Sequence, residues 1–277
     1  MTSNTLNVTD HTAPRNDLFT IGAIAVIAYL LSVMIHEALG HGVAALLVGG
    51  HIQHITSLDV AYTGTTAGTW ADRFVAAAGC LAQLIAAGIL YTFYRRSQTL
   101  APDRRYFLWL FTHINLLIPG GYLMALSFVS FGDWNEFVQG LPAPIIWRSA
   151  LTLLGIGISF AALRSGSRGL QSFIGIVPHD RERRANTLTI APYLFGGAIN
   201  TLAGIFNPDS PALIITSAAA ASFGGTIFLF WTGFVAGMTK AQPGASTIAV
   251  TRSVPWLSAG VVAVLIYFFV LGPGLPR

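Results

Sequence analysis

Charge is scarce in this sequence: Asp, Glu, Lys and Arg together make up only 9% of its 277 residues. In soluble domains these four residue types make up about 25% of the chain, so the composition excludes an ordinary soluble protein. The single cysteine, Cys80, lies inside an apolar run, which excludes a disulfide framework and a cysteine-based metal cluster. Lys240 is the only lysine, and the arginines are spread over short connections. That distribution indicates membrane topology and gives no support to nucleic-acid binding.

Apolar residues are abundant instead, at 53% of the chain with a mean hydropathy of +0.64. Because about 20 apolar residues cross a bilayer as one helix, we predict an all-α polytopic membrane protein with about seven transmembrane helices in a lipid bilayer. The predicted spans are residues 18–40, 73–94, 105–130, 146–163, 188–206, 211–238 and 253–272. The first can continue to Leu47, before Gly49-Gly50 stops it. The polar residues 1–17 predict a disordered tail.

The segment between the first two spans, residues 51–70, is too apolar for an ordinary loop and too short to cross as a helix. Its β-branched residues, with a turn-like stretch at 63–68, predict a short β-hairpin associated with the membrane interface. His51 and His54 lie in this segment. We interpret them as interfacial polar residues, with metal ligation as the alternative.

The basic residues divide unevenly between the two sides of a seven-span protein. With alternating spans, twelve of the fifteen fall on one side, and Arg73, Arg148 and Arg277 fall on the other. By the positive-inside rule we expect a cytoplasmic N-terminus and an outer C-terminus. We expect the chain in a bacterial inner or plasma membrane. The end of the first span then faces the outer side.

The first span ends in His-Glu-Ala-Leu-Gly-His-Gly at residues 36–42. Ionisable side chains at membrane depth are costly and usually face a site. Two histidines with a glutamate are typical of zinc hydrolases, in which the imidazoles hold the metal and the carboxylate activates water. His36 and His41 are five residues apart, a spacing that turns them about 140° apart in a regular α-helix. We therefore predict a π-helical turn, made less costly by Gly40, that brings both onto one face.

The third span contains two more polar side chains, His113 and Asn115, shortly before Pro119-Gly120-Gly121. We expect the proline and the glycines to weaken or open the helix there. Freed backbone at membrane depth is tolerated only where it lines a cavity or is packed in protein.

Three blocks of the sequence resemble, in order, the site-two protease family of intramembrane zinc metalloproteases. Residues 36–42 resemble the family's His-Glu-x-Gly-His helix. Residues 77–83 resemble its Ala-Gly-Pro-x-x-Asn stretch, with Cys80 and Gln83 replacing Pro and Asn. Residues 115–119, Asn-Leu-Leu-Ile-Pro, resemble the Asn-Leu-Leu-Pro segment that leads to the family's third ligand.

The similarity covers about residues 18–135. We interpret this part as a metalloprotease-like membrane core and residues 136–277 as additional helices of the same membrane domain. A membrane-associated β segment between the first two helices is also expected in the family.

The resemblance implies a zinc ion held by His36, His41 and an aspartate. Gly120-Gly121-Tyr122 stands where the family has Asp-Gly, and Asp133 is the carboxylate in reach. We therefore assign Asp133 as the third ligand, with His113 as the alternative.

The remaining roles are also implied by the resemblance and the motif. Glu37 is expected to act as general base and acid, and Asn115 to donate a hydrogen bond to the developing oxyanion or to substrate backbone. The expected substrate is a transmembrane protein or peptide, whose extended strand adds to the 51–70 segment and is cleaved by metal-activated water.

Other interpretations of the histidine motif stay open at this point. His36, Glu37 and His41 can form a buried polar cluster without metal. The chain can be a catalytically inactive membrane scaffold or assembly factor that retains the protease-like fold, which the five-residue spacing favours. It can also be a membrane zinc hydrolase of lipid amides, although the last span contains no histidine ligands of that kind.

Overall fold

The chain crosses the membrane as seven helices, as the hydropathy pattern predicts. The computed structural model describes residues 15–207, 211–240 and 247–275. Large apolar side chains such as Phe93, Leu153 and Val261 are more than half exposed, as lipid-facing residues of an integral membrane protein are. In the described ranges the seven helices long and apolar enough to span are Leu18–Leu47, Trp70–Arg96, Pro102–Leu126, Pro144–Gly169, Asp180–Phe206, Ile215–Met238 and Val254–Leu271.

We number the regular elements of these ranges in chain order. They are α1 Leu18–Leu47, β1 His51–Ile55, β2 Val60–Thr63, α2 Trp70–Arg96, α3 Pro102–Leu126, α4 Asp133–Val138, α5 Pro144–Gly169, α6 Gln171–Ile174, α7 Pro178–Ala203, α8 Pro211–Ala219, α9 Ile227–Met238 and α10 Val254–Ile266. Three short stretches of tighter or wider helix continue α7, α8 and α10: Gly204–Phe206, Ala220–Gly224 and Tyr267–Leu271.

Local signals set the two ends of α1. Asp17 accepts a hydrogen bond from the Thr20 backbone nitrogen at 2.8 Å and so caps the first turn. Asp17 belongs to the predicted polar tail, of which residues 1–14 lie outside the described residues. At the other end, Gly49 adopts a φ of +84°, a conformation open to glycine at little cost. The helix therefore stops after Leu47, as predicted.

The helix α1 changes its winding just before the predicted motif and regains it just after. Leu18–Met34 and Val43–Leu47 are α-helical, and Ile35–Gly42 between them is π-helical. The predicted π-helical turn is confirmed, and it extends over eight residues.

The predicted hairpin between the first two spans is also confirmed. β1 and β2 pair antiparallel, with Ile52 opposite Tyr62 and Ile55 opposite Val60. Side chains alternate between the two faces of such a ribbon. Tyr62 and Ile52 pack against α1 and α2 in a small apolar cluster.

Residues near the end of the chain hold this hairpin in place. The Tyr267 hydroxyl donates to the Ser57 carbonyl in its turn. The backbones of Leu275 and Ile55 exchange two hydrogen bonds, of 2.6 and 2.8 Å. Since these partners are separated by some two hundred residues, the position of the hairpin depends on the fold of the whole chain.

The third span corrects one expectation. Pro119, Gly120 and Gly121 do not open the helix, because α3 continues from Pro102 to Leu126. The glycines instead let other helices approach: a Cβ on Gly120 would lie 2.7 Å from Oγ of Ser159 in α5. Small residues of this kind are typical of helix contacts in membranes.

The core lies between α1, α3, α5 and α7: α5 packs on α3, α3 packs on α1, and α1 packs on α7. Tyr29, Tyr106, Trp109 and Phe173 are fully buried there. Helix α1 also packs against α10, and its π-helical segment packs against α2. The helix that carries the motif is therefore held by helices from both halves of the sequence.

Candidate metal centre

The π-helical segment brings two predicted ligands together. The Nε2 atoms of His36 and His41 lie 3.1 Å apart, and both residues are buried. A π-helix pairs residue i with residue i+5, so residues five apart face the same way. In an α-helix, histidines five residues apart cannot bind one metal ion together, but in this π-helical segment they can.

Two glycines allow the π-helical segment to touch α2. A Cβ on Gly40 would lie 2.5 Å from Cα of Gly79, and a Cβ on Gly79 would lie 2.6 Å from atoms of His36 and His41. Neither glycine has a positive φ. Gly40 therefore provides space for a close approach, and the lower cost of backbone distortion that we predicted for it stays a prediction.

Asp133 completes a group of three donor atoms. Its Oδ2 lies 3.1 Å from Nε2 of His36 and 3.4 Å from Nε2 of His41. Asp133 begins α4 directly after Gly132, whose φ of +79° turns the chain. The structure thus brings the three predicted ligands within 4.8 Å of one another.

Two arginines hold the segment that carries Asp133. Arg73 of α2 and Arg148 of α5 both donate hydrogen bonds to it. The acceptors are the carbonyls of Phe137 and Gln139 for Arg73, and the carbonyls of Ser127 and Val129 with Oδ1 of Asn135 for Arg148. Arg73 and Arg148 are two of the three basic residues that the sequence predicts on the membrane side opposite the other twelve.

Hydrogen bonds on the far side of each ring determine which nitrogen carries the proton. Nδ1 of His41 lies 2.8 Å from the Val75 carbonyl, and a carbonyl only accepts, so this Nδ1 is protonated. Nδ1 of His36 lies 3.1 Å from Oε1 of Gln83, whose amide nitrogen donates to a backbone carbonyl. In the neutral rings both Nε2 atoms therefore present lone pairs to each other and to the Asp133 carboxylate.

Three electron-rich atoms this close together repel one another unless a cation lies between them, and that cation can be a proton or a metal ion. Burial raises the pKa of Asp133, and a proton shared with the facing His41 and His36 lowers it well below the usual range of a carboxyl, so the carboxylate is available as a ligand once a metal ion replaces that proton. One proton bridges a single pair of these atoms, whereas a metal ion engages all three.

The distances also fit a metal. A tetrahedral ion with ligands at about 2.0–2.1 Å separates its donor atoms by about 3.3 Å. The three separations here are 3.1, 3.1 and 3.4 Å. Two imidazoles and one carboxylate are a donor set that Zn²⁺ accepts in hydrolases, with the fourth position open.

Comparison with protein-family models, with curated proteins and with solved structures found no match. The chemistry of the site is therefore argued from its own geometry.

A cavity of about 630 Å³ opens beside the three donors. Glu37 lines it next to His36, and Tyr62 of β2 also lines it. Asn200 of α7 and Ser217 of α8 also line it. The cavity therefore extends beyond the part of the chain that the sequence assigned to the core.

The alternative ligand His113 does not reach this group. Its Nδ1 lies 2.6 Å from the Trp109 carbonyl, and its Nε2 lies 3.2 Å from Oγ of Ser165. His51 and His54 also lie outside the cluster of three donors. Asp133 is the third member of the cluster in the described residues.

Asn115 is not at the cavity wall either. It is fully buried, its amide nitrogen donates to the Phe111 carbonyl at 2.8 Å, and its Oδ1 accepts from Ser32 at 3.0 Å. The hydrogen bond to an oxyanion that we predicted for it has no support in this position.

Sequence reasoning missed the residues behind the ligands. Gln83 and Ser32 form the hydrogen-bonded support of His36, and the Tyr122 hydroxyl accepts from the Asp133 backbone nitrogen at 3.4 Å. One available signal was that polar residues inside a membrane span usually face the protein interior, which applies to Gln83. Nothing in the sequence singles out Tyr122.

Proposed function

We propose that the protein is an intramembrane zinc metalloprotease similar to the site-two proteases, and that it hydrolyses a peptide bond of a membrane protein substrate. The observation that carries this proposal is the convergence of three donor atoms, from His36, His41 and Asp133, beside Glu37 at the wall of a cavity. The π-helical winding removes the main argument for a catalytically silent scaffold, which rested on the five-residue spacing.

The chain's own residues divide the work as follows. His36, His41 and Asp133 would hold the ion beside the cavity. The bound zinc ion supplies a Lewis acid that makes water nucleophilic near neutral pH. Glu37 accepts the proton of the attacking water and returns it to the leaving amine nitrogen.

The hairpin supports a peptide as the substrate. Val60, Ala61 and Tyr62 of β2 line the cavity. In the two-stranded sheet of the described residues, β2 pairs along one edge only. An extended segment can add to the other edge through backbone hydrogen bonds, which exposes its peptide bond beside Glu37. A volume of about 630 Å³ suits a short unwound stretch of a substrate helix.

The orientation follows from the arginine distribution, with the N-terminus in the cytoplasm of a bacterial cell and the cavity toward the outer side. The single buried Cys80 makes this testable by one introduced cysteine. In a Cys80→Ser background, Thr66→Cys at an exposed position in the connection between β2 and α2 should react with a membrane-impermeant maleimide on intact cells. Reaction only after the cells are opened would reverse the orientation.

The test of the function is Glu37→Gln in the full chain, reconstituted in liposomes with a library of fluorogenic transmembrane peptides. We expect one zinc per chain in both proteins and a loss of turnover of about 10²–10⁴-fold in the variant. Glu182→Gln, at an exposed position of α7, is the matched control and should keep both properties. Undiminished cleavage by Glu37→Gln contradicts the proposal, and wild-type protein that takes up no zinc favours the scaffold.

A further inference from the structure

A chain of hydrogen bonds leads away from His36 through three buried polar side chains. Gln83 of α2, Ser32 of α1 and Asn115 of α3 each have no exposed surface. Nδ1 of His36 lies 3.1 Å from Oε1 of Gln83, and Nε2 of Gln83 lies 2.9 Å from Oγ of Ser32. Oγ of Ser32 lies 3.0 Å from Oδ1 of Asn115. Three helices are thereby joined behind one ligand.

The Phe111 carbonyl, at the far end of this series of hydrogen bonds, determines which atom donates in each of them. The Phe111 carbonyl only accepts, so Asn115 turns its amide nitrogen there, at 2.8 Å, and offers its oxygen to Ser32. The Ser32 hydroxyl donates to that oxygen and accepts from the amide nitrogen of Gln83. The same nitrogen also donates to the Ser32 backbone carbonyl at 3.2 Å.

Gln83 is left with its oxygen toward His36. An amide oxygen accepts only, so the Nδ1 of His36 must carry its proton. Nε2, the atom that faces His41 and Asp133, then holds a lone pair. The opposite tautomer would point an N–H bond into the donor group and would leave the Gln83 oxygen without a donor in a buried place, which costs about 1–3 kcal/mol.

We propose that Gln83, with Ser32 and Asn115 behind it, is a positioning residue that selects the tautomer and the ring orientation of His36 for metal binding. The proposal rests on the metal site of the proposed function, although it makes a separate statement about the ring itself. It gives Asn115 a role at a distance from substrate. Partners behind a metal ligand of this kind affect metal affinity by about 10–100-fold.

The first measurement is zinc affinity. The full chain is purified in detergent, stripped of metal by chelation and titrated against a chromophoric chelator, with Co²⁺ absorption as a second readout. We expect Gln83→Met, which keeps the volume and removes both amide groups, to weaken zinc binding about 10–100-fold and to alter the Co²⁺ spectrum. Gln83→Glu retains an acceptor for the His36 proton and should restore most of the affinity.

A matched pair covers the possibility that Gln83→Met does not fold. Ser32→Ala removes the middle of the chain, and Ser167→Ala removes a buried serine on α5 whose hydroxyl donates to the Leu163 carbonyl. We expect Ser32→Ala to weaken zinc binding severalfold and Ser167→Ala to leave it unchanged. Wild-type zinc affinity in both Gln83→Met and Ser32→Ala, or an equal loss in the two serine variants, overturns the proposal.

The second measurement reports on the ring without metal. ¹⁵N chemical shifts of His36 in the metal-free chain at mildly alkaline pH distinguish a proton on Nδ1 from one on Nε2. We expect Nδ1–H in the wild type and a mixture in Ser32→Ala. If the wild type binds no zinc, the metal site of the proposed function fails, and this measurement alone judges the inference. Identical His36 shifts in the two proteins then overturn it.

Discussion

Substituting Gly79 by alanine tests the geometry of the metal centre most directly. The added Cβ would lie 2.6 Å from Cε1 and Nε2 of His36 and from Nε2 of His41. Ordinary van der Waals contact begins at 3.4 Å, so both rings must retreat by about 0.8 Å or the helices must separate. Metal sites tolerate ligand displacements of about 0.2 Å. The displacement is thus about four times what the site accepts.

The expected effect is a large loss of metal affinity with little loss of fold. We expect zinc affinity to fall at least 100-fold, which corresponds to about 2.8 kcal/mol at about 1.4 kcal/mol for each tenfold change. Alanine is favoured over glycine inside a helix by about 1 kcal/mol, which offsets part of any packing cost. The variant should therefore remain folded in detergent, as judged by its tryptophan emission and its elution volume.

The control lies on the same helix. Gly88 of α2 has nothing within 4 Å of its position for a Cβ, so Gly88→Ala should keep wild-type zinc affinity. Affinity is measured for both variants by competition with a chromophoric chelator. A folded Gly79→Ala protein that binds zinc as tightly as the wild type would refute the placement of α2 against the two histidines.

Three further predictions concern the segment after α3. Asp133→Asn should weaken zinc binding more than 100-fold, which exceeds the effect of about 10–100-fold expected for residues behind a ligand. His113→Leu should leave zinc binding unchanged, and the opposite result would reinstate His113 as the third ligand. Arg148→Met removes the hydrogen bonds that hold residues 127–135 and should weaken zinc binding about tenfold. Arg164 is exposed on the same helix, so Arg164→Met should leave zinc binding unchanged. Equal effects of the two variants would mean that the hydrogen bonds of Arg148 do not matter for the site. Gly132→Ala forces an L-residue to a φ of +79° and should lower the free energy of unfolding by about 1–3 kcal/mol. The free energy is measured by SDS titration in mixed micelles, and an unchanged value would show that the turn relaxes without strain.

The parts of the fold that the sequence predicted correctly are those that local signals encode. Hydropathy marks the seven spans, because each must bury its backbone polar groups in hydrocarbon. The π-helical winding followed from one arithmetic conflict, that His36 and His41 cannot face one ion in an α-helix. The position of Asp133 followed from the scarcity of carboxylates within reach.

The parts that failed depend on which helix approaches which. Pro119 suggested an open helix, yet α3 remains helical because neighbouring helices pack closely against its glycines. Asn115 suggested a substrate contact, yet its amide nitrogen donates to the Phe111 carbonyl and its amide oxygen accepts from Ser32. The approach of Gly40 to Gly79 joins two distant parts of the chain, and no single window of the sequence contains it. Zinc binding and catalysis stay predictions.

The arginine anchors have a consequence for how the site responds to its surroundings. Arg73 and Arg148 hold the Asp133 segment through backbone carbonyls and one amide oxygen, and none of these acceptors titrates. The frame around the carboxylate therefore depends on the geometry of these hydrogen bonds and not on the ionisation of its acceptors. Lysine cannot replace either arginine, because one ammonium cannot span acceptors on separate residues as a planar fork does.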